Sequence, residues 1–225
     1  IMRLWIAADP HAEGWYVLLH LHHIVVDATS LRAIIAEVVL QLEGRVEELA
    51  APVPYRSHVA QALVYARTHD AEACFRGKLG DVDEPTAPFG LLDEHGDGAG
   101  VEESTIEVEA QLARQIRVQA RRHAVSAATL FHAAWALVVA RTSGRDDVVF
   151  GSVLLGRLQS SVGAQQVLGL FINTLPLRVQ LQGVSAKALV ERTQRELVEL
   201  LAHEQASLGV AQRCSGISGS APLFT

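Results

Sequence analysis

Three histidines fall within four positions at His20, His22 and His23, and one carboxylate follows at Asp27 after three aliphatic residues. These residue types admit three kinds of chemistry. Imidazoles with a carboxylate can hold a metal, transfer a proton, or fill polar positions at the end of a strand. An HxH pair on a strand puts His20 and His22 on one face, a known way to hold zinc. A third ligand from His23 requires the chain to turn at once, and His58, His123, His132 and His203 are scattered over helical segments. The metal reading is the weakest of the three. Proton transfer needs a neutral imidazole held in one orientation facing a cleft. The spacing His23–Ile24–Val25–Val26–Asp27 supplies that if a tight turn folds Asp27 back and the aliphatics anchor the turn in the core. Burying Asp27 then demands a cation, because an unpaired buried carboxylate is costly. For His20 alone, filling a strand position is the favoured reading.

The elements around this cluster follow from periodicity. Trp15–Leu21 reads as a buried strand, short, apolar and followed by polar residues. Leu31, Ile34, Ile35, Val38, Val39 and Leu42 form the stripe of an amphipathic helix, capped by Thr29 or Ser30 and closed by Gly44. The histidines thus lie at a strand-to-helix junction. A second helix is expected over about Arg56–Lys78, followed by a Gly-, Pro- and acid-rich connection. Further on, Ile106–Val108 reads as a short strand. Helices carry Leu112, Ile116 and Val118, and then Leu130, Phe131, Trp135, Leu137, Val138 and Val139. Asp147–Gly151 and Phe171–Gln180 read as strands separated by a loop over 152–169, and Ser185–Glu204 as a long helix. The fold class is α/β.

Composition narrows the classes. The chain has 225 residues, 49% hydrophobic and 20% charged, with a formal net charge of −6. Scattered Lys and Arg argue against a nucleic-acid surface, and no apolar run reaches the ~18 residues of a membrane span. Cys74 and Cys214 lack CxxC spacing and read as free thiols of a cytoplasmic protein, with no bound metal. Both ends read as interruptions, so a fragment of something longer is expected.

At this point the residues reach a family. His22–His23–Ile24–Val25–Val26–Asp27–Ala28–Thr29–Ser30 resembles the HHxxxDG core of condensation domains from nonribosomal peptide synthetases, members of the chloramphenicol-acetyltransferase-like superfamily. Val167–Leu168–Gly169–Leu170–Phe171–Ile172–Asn173–Thr174–Leu175–Pro176–Leu177–Arg178 resembles their later IGxFVNTxxxR motif, in the family's order and separation. Pro54–Tyr55, His203–Glu204–Gln205 and Ala221–Pro222–Leu223–Phe224 are weaker echoes.

The resemblance implies a two-lobed fold of mixed sheets with flanking helices, here incomplete at both ends. Residues 1–98 would be the remainder of the first lobe with the linker, and 99–225 the first part of the second. It implies peptide-bond formation: a carrier-bound acceptor amine attacks a carrier-bound donor thioester. His23 would accept the amine's proton or orient the amine, His22 and Asp27 would hold the loop, and Arg178 would pair with Asp27. Ser30 would support the turn, and Phe171, Asn173 and Thr174 are candidates to line the substrate tunnel. No cofactor would bind the domain itself, since substrates arrive on the phosphopantetheine of donor and acceptor carrier domains beside an adenylation domain. Nucleic acid and membrane are not expected partners. Ala28 departs from the family's Gly; if that position needs a positive φ, Ala costs roughly 1–2 kcal/mol. A coenzyme-A-dependent acyltransferase and a non-catalytic truncated scaffold remain as alternatives.

Overall fold

The computed structural model describes residues 1–92, 102–157, 166–218 and 221–225. The expected connection after Lys78 and the expected loop over 152–169 both lie partly outside these residues. The chain forms two compact units, Ile1–Thr68 with Leu155–Asn173, and His69–Leu154 with Thr174–Thr225.

In the first unit, β1 (Met2–Ala8) and β2 (Trp15–Leu21) pair antiparallel, in register from Met2↔Leu21 to Ala8↔Trp15. Asp9 closes the hairpin, donating its N–H to the Gly14 carbonyl at 2.9 Å and accepting the His11 N–H on Oδ1 at 2.8 Å. A single 3-10 turn, His23–Val25, leads into α1 (Ala28–Leu42). The cap of α1 is Asp27, not Thr29 or Ser30: its Oδ1 accepts the Ser30 N–H at 2.7 Å. Gly44, at φ +72°, closes this helix as expected, in a conformation that costs glycine little. α2 spans Tyr55–Thr68.

The single helix expected over Arg56–Lys78 is two helices. Asp70 starts α3 (Ala71–Leu79) by accepting the Ala73 N–H at 2.8 Å. An Asp side chain competes for backbone donors and so favours caps over helix interiors. The division between the two units falls at this break.

The second unit holds the larger apolar core. Its remaining elements are α4 (Ala110–Arg122), α5 (Ala127–Ser143), β3 (Asp147–Leu154), β4 (Asn173–Gln180), α6 (Ala186–Ala202) and α7 (Leu208–Arg213). β3 and β4 form a two-stranded sheet. Val148, Val149, Phe150, Leu175, Leu177 and Val179 of that sheet are buried against Ala136 and Val139 of α5, Leu189 and Leu197 of α6, and Phe75 and Leu79 of α3. At about 1.5–3 kcal/mol for each large side chain fully buried, this cluster dominates the stability of the unit. The segment 69–92 contributes Phe75, Leu79 and Val82 to this core. Thr86 joins the layers: its Oγ1 accepts the Val149 N–H at 2.9 Å, and its backbone pairs with Leu223 and Thr225. Ile106–Val108, expected as a strand, has no regular structure. Cys74 and Cys214 are free thiols.

Candidate active site

The site grows from the junction between β2 and α1. His20 stays on β2, exposed, with its ring stacked on Trp5 at 6.1 Å. His22 precedes the 3-10 turn, and its Nδ1 accepts the Ile24 N–H at 3.1 Å. That acceptor role places the ring proton on Nε2. His23 is the first residue of the turn and is exposed; among the described residues its imidazole makes no hydrogen bond. Both of its nitrogens are open to a reactant.

The three aliphatics do not all anchor the turn in a core. Ile24 and Val25 are 64% and 39% exposed, and Val26 alone is buried. The anchor is polar instead. Asp27 is buried, and its four acceptor positions are filled. Oδ1 accepts the Ser30 N–H at 2.7 Å and Arg157 Nη2 at 3.0 Å; Oδ2 accepts the same Nη2 at 3.1 Å and the Phe171 N–H at 3.2 Å. The Ser30 hydroxyl donates to the Gly169 carbonyl at 2.8 Å and accepts from Arg157 Nη2 at 2.9 Å and the Gly169 N–H at 3.0 Å. A hydroxyl has one proton and two lone pairs, so its capacity is fully used. Arg157 Nη1 reaches the Val167 carbonyl at 3.0 Å, and the guanidinium carbon lies 3.7 Å from the centre of the Phe171 ring. The latch so formed fastens the turn carrying His23 to the segment 155–173.

Its electrostatics follow from burial. Loss of water raises the Asp27 carboxyl, but hydrogen bonds from Ser30 and Arg157 more than offset this and hold it below the usual carboxylate range.

Arg178 is not the cation of Asp27, a correction to the sequence expectation. Its Nε and Nη2 donate to Asp147 at 3.0 and 2.6 Å, Nη2 also to Asp81 at 3.0 Å, and Nη1 to the Lys78 carbonyl at 2.6 Å. Hydrogen bonds donated to Asp147 and then to Asp81 raise its already high pKa further. Arg178 is a strap of the second unit, joining β4 to the start of β3 and to the turn after α3. Arg157 is the true partner, and it leaves a signal in the sequence. It is the only charged residue between Asp147 and Arg178.

The other candidates sort by place. Ala28 is the first residue of α1; the positive-φ non-glycine residues described are Phe89 and Ala124, so Ala28 carries none of the feared strain. Phe171, a tunnel candidate, is buried as the floor of the latch. Asn173 and Thr174 are half-buried at the start of β4. Tyr55 begins α2, donates its hydroxyl to the Leu170 carbonyl at 2.6 Å and meets Phe171 edge-on at 5.3 Å. A Cβ on Gly169 would lie 2.2 Å from the Tyr55 ring, and one on Gly156, at φ +66°, 1.9 Å from the Phe171 carbonyl oxygen. Both close approaches require glycine.

Comparison with known proteins identifies the family and its fold. The family model described as "Condensation domain" matches residues 8–225. The chain is 44% identical over 225 residues to malpinin synthetase and 46% over 223 residues to malpibaldin synthetase, both of Mortierella alpina. These matches cover 100% and 99% of the chain but only 3% and 4% of those proteins. Among solved structures, the first condensation domain of the calcium-dependent antibiotic synthetase, in complex with a substrate analogue, superposes with a TM-score of 0.74 at 24% identity. That match covers 99% of the chain and 50% of the solved one. The condensation domain of the polyketide synthase MokA gives 0.68 at 21% identity, covering 99% and 55%. The chain thus spans about half the length of these solved domains and a few per cent of its curated relatives. Its α/β fold is that of the condensation domains, its latch joins the two motifs that suggested them, and the chain belongs to the condensation-domain family.

Proposed function

We propose that the chain is part of a condensation domain that forms peptide bonds in nonribosomal peptide synthesis. The amine of an acceptor attacks the carbonyl carbon of a donor thioester. A C–N bond forms, the C–S bond breaks, the amine proton leaves nitrogen, and the sulfur departs as a thiol. His23 receives that proton and passes it to the departing sulfur, or holds the amine in line for attack. Donor and acceptor ride on phosphopantetheine arms of carrier domains, with an adenylation domain as neighbour, and no cofactor belongs to the domain itself. Residues 1–98 and 99–225 contribute to its two lobes. The free thiols at Cys74 and Cys214 fit a reducing compartment, the cytoplasm.

One observation carries the reading. The exposed His23 ring sits in a turn pinned at both ends, by the His22 cap before it and the buried Asp27–Arg157 pair after it. A reacting imidazole needs that fixed placement, since misplacement of about 1 Å can cost on the order of 100-fold in rate. The test is His23→Ala in the full-length protein, assayed for amide formation between loaded carrier domains. Loss of product with the fold retained is expected; turnover near the wild-type rate would remove His23 from the reaction.

A further inference from the structure

His58 lies on α2, outside the hydrogen bonds of the latch. It lies three residues after Tyr55, so the two rings share a face of α2. Both rest on Phe171, Tyr55 at 5.3 Å and His58 at 4.3 Å between ring centres, and they touch each other at 5.4 Å. The Phe171 ring in turn carries the Arg157 guanidinium at 3.7 Å. His58 is therefore one ring away from the buried cation that holds Asp27. A neutral imidazole at this place adds a flat, weakly polar partner to the stack. An imidazolium adds a second cation, which competes with Arg157 for the electron-rich face of Phe171 and repels it where little water screens the charges.

We propose that His58 is a positioning residue whose neutral ring completes the stack that keeps Arg157 on Asp27, and whose protonation loosens the latch and the turn bearing His23. Among the described residues, the charged and titratable groups facing it are Arg157 from the segment 155–173 and Tyr55 on its own helix. The Tyr55 phenol is occupied by the Leu170 carbonyl. Burial, and then the charge of Arg157, push the His58 imidazole below its ordinary value. The folded state thus binds fewer protons there than the unfolded chain. Its stability is complete above the ordinary histidine range, falls as pH drops through that range, and levels off below the folded pKa.

Two measurements test this, the second resting on the function proposed above. First, melting temperature is followed from roughly pH 8 to pH 5 for the wild type, His58→Phe and His58→Lys. The wild type should lose melting temperature on the acid side that His58→Phe keeps, on a scale of about 3–5 °C for each tenfold change in proton affinity. His58→Lys, charged throughout, should show the acid-side loss already at the alkaline end. Identical acid-side losses in wild type and His58→Phe overturn the proposal, even if His58→Lys fails to fold. The difference is the quantity to read, because His203 in the other unit is also held below its ordinary value, by burial and then by His69. Second, the acid limb of amide formation in the full-length protein should move to lower pH in His58→Phe; an unmoved limb overturns the link to the working turn. If the wild type forms no amide at all, the proposed function fails, while the melting comparison still decides whether His58 governs the latch.

Discussion

At the residue scale, the latch is a buried ion pair of the kind that stabilises less by its presence than it destabilises when half is removed. Arg157 and Asp27 side chains are 3% and 2% exposed. Arg157→Met leaves a carboxylate and a hydroxyl buried with donors missing and should cost about 3–5 kcal/mol in urea denaturation. Arg157→Lys should not restore it, because a single ammonium cannot span Asp27, Ser30 and Val167 while lying flat on Phe171. Hydrogen exchange supplies a local check. The Ser30 and Phe171 amides, both donors to Asp27, should lose protection in Arg157→Met and keep it in Arg178→Ala, whose strap belongs to the other unit. Loss of these two amides in Arg178→Ala would contradict the assignment of partners. The pH dependence follows from Asp27. Its pKa is depressed on folding, so its contribution is present above the unfolded value and disappears as pH falls through the folded one. Asp27→Asn should therefore differ most from the wild type near neutral pH, and the gap in denaturation midpoint should close in strong acid.

At the scale of elements, two glycines let the segment 155–173 come close enough to be latched. Gly169→Ala drives a methyl into the Tyr55 ring, and Gly156→Ala meets a carbonyl oxygen from a left-handed backbone. Each should lower stability by at least about 1–3 kcal/mol, with Gly156→Ala the worse because it adds backbone strain to the clash. Thermal melts of the two variants beside Gly14→Ala, where nothing lies within 4 Å of the added carbon, provide the comparison. The elements also show how far a hydrophobic period can be read. The strand at Trp15–Leu21, read as buried but largely exposed, and the helices α1, α5 and α6 follow their patterns. Burial does not: on α5 the inward face is Thr129, Ala133, Ala136 and Val139, while Phe131 and Trp135 are 54% and 53% exposed. A period tells which residues share a face, but the neighbour that packs against it decides which face is covered.

At the scale of the whole molecule, the two units differ in what fills them. The second closes over apolar side chains from two strands and four helices. Among the described residues, the buried set of the first is Val26, Asp27, Ser30, Gly156, Arg157, Val167, Gly169 and Phe171, so a polar network stands where a hydrophobic centre would be. Polar networks impose geometry, since each donor must meet an acceptor at a fixed distance, and geometry is what a reacting imidazole needs. If that is why the network is there, Ser30→Ala should do more harm to amide formation than its loss of stability explains. The check is kcat at a temperature where the variant remains folded; a kcat equal to that of the wild type would reduce Ser30 to a purely structural role.

The sequence by itself determined the local features: a strand ending in histidines, a turn before a helix, and two motifs whose order and spacing named a family. These depend on neighbours a few residues apart, and near neighbours leave periods and spacings in the chain. It also established that Asp27, once buried, must have a cation. Which cation was decided only by the tertiary structure. Arg157 and Arg178 stand 130 and 151 positions beyond Asp27; Arg157 stands out in the chain as a lone charge, but spacing does not say which carboxylate it meets. The choice was made by backbone approach: glycines at 156 and 169 admit the segment carrying Arg157, while Asp81 and Asp147 had already claimed Arg178. Long-range ion pairs are selected by packing, and packing is known only when the chain has folded.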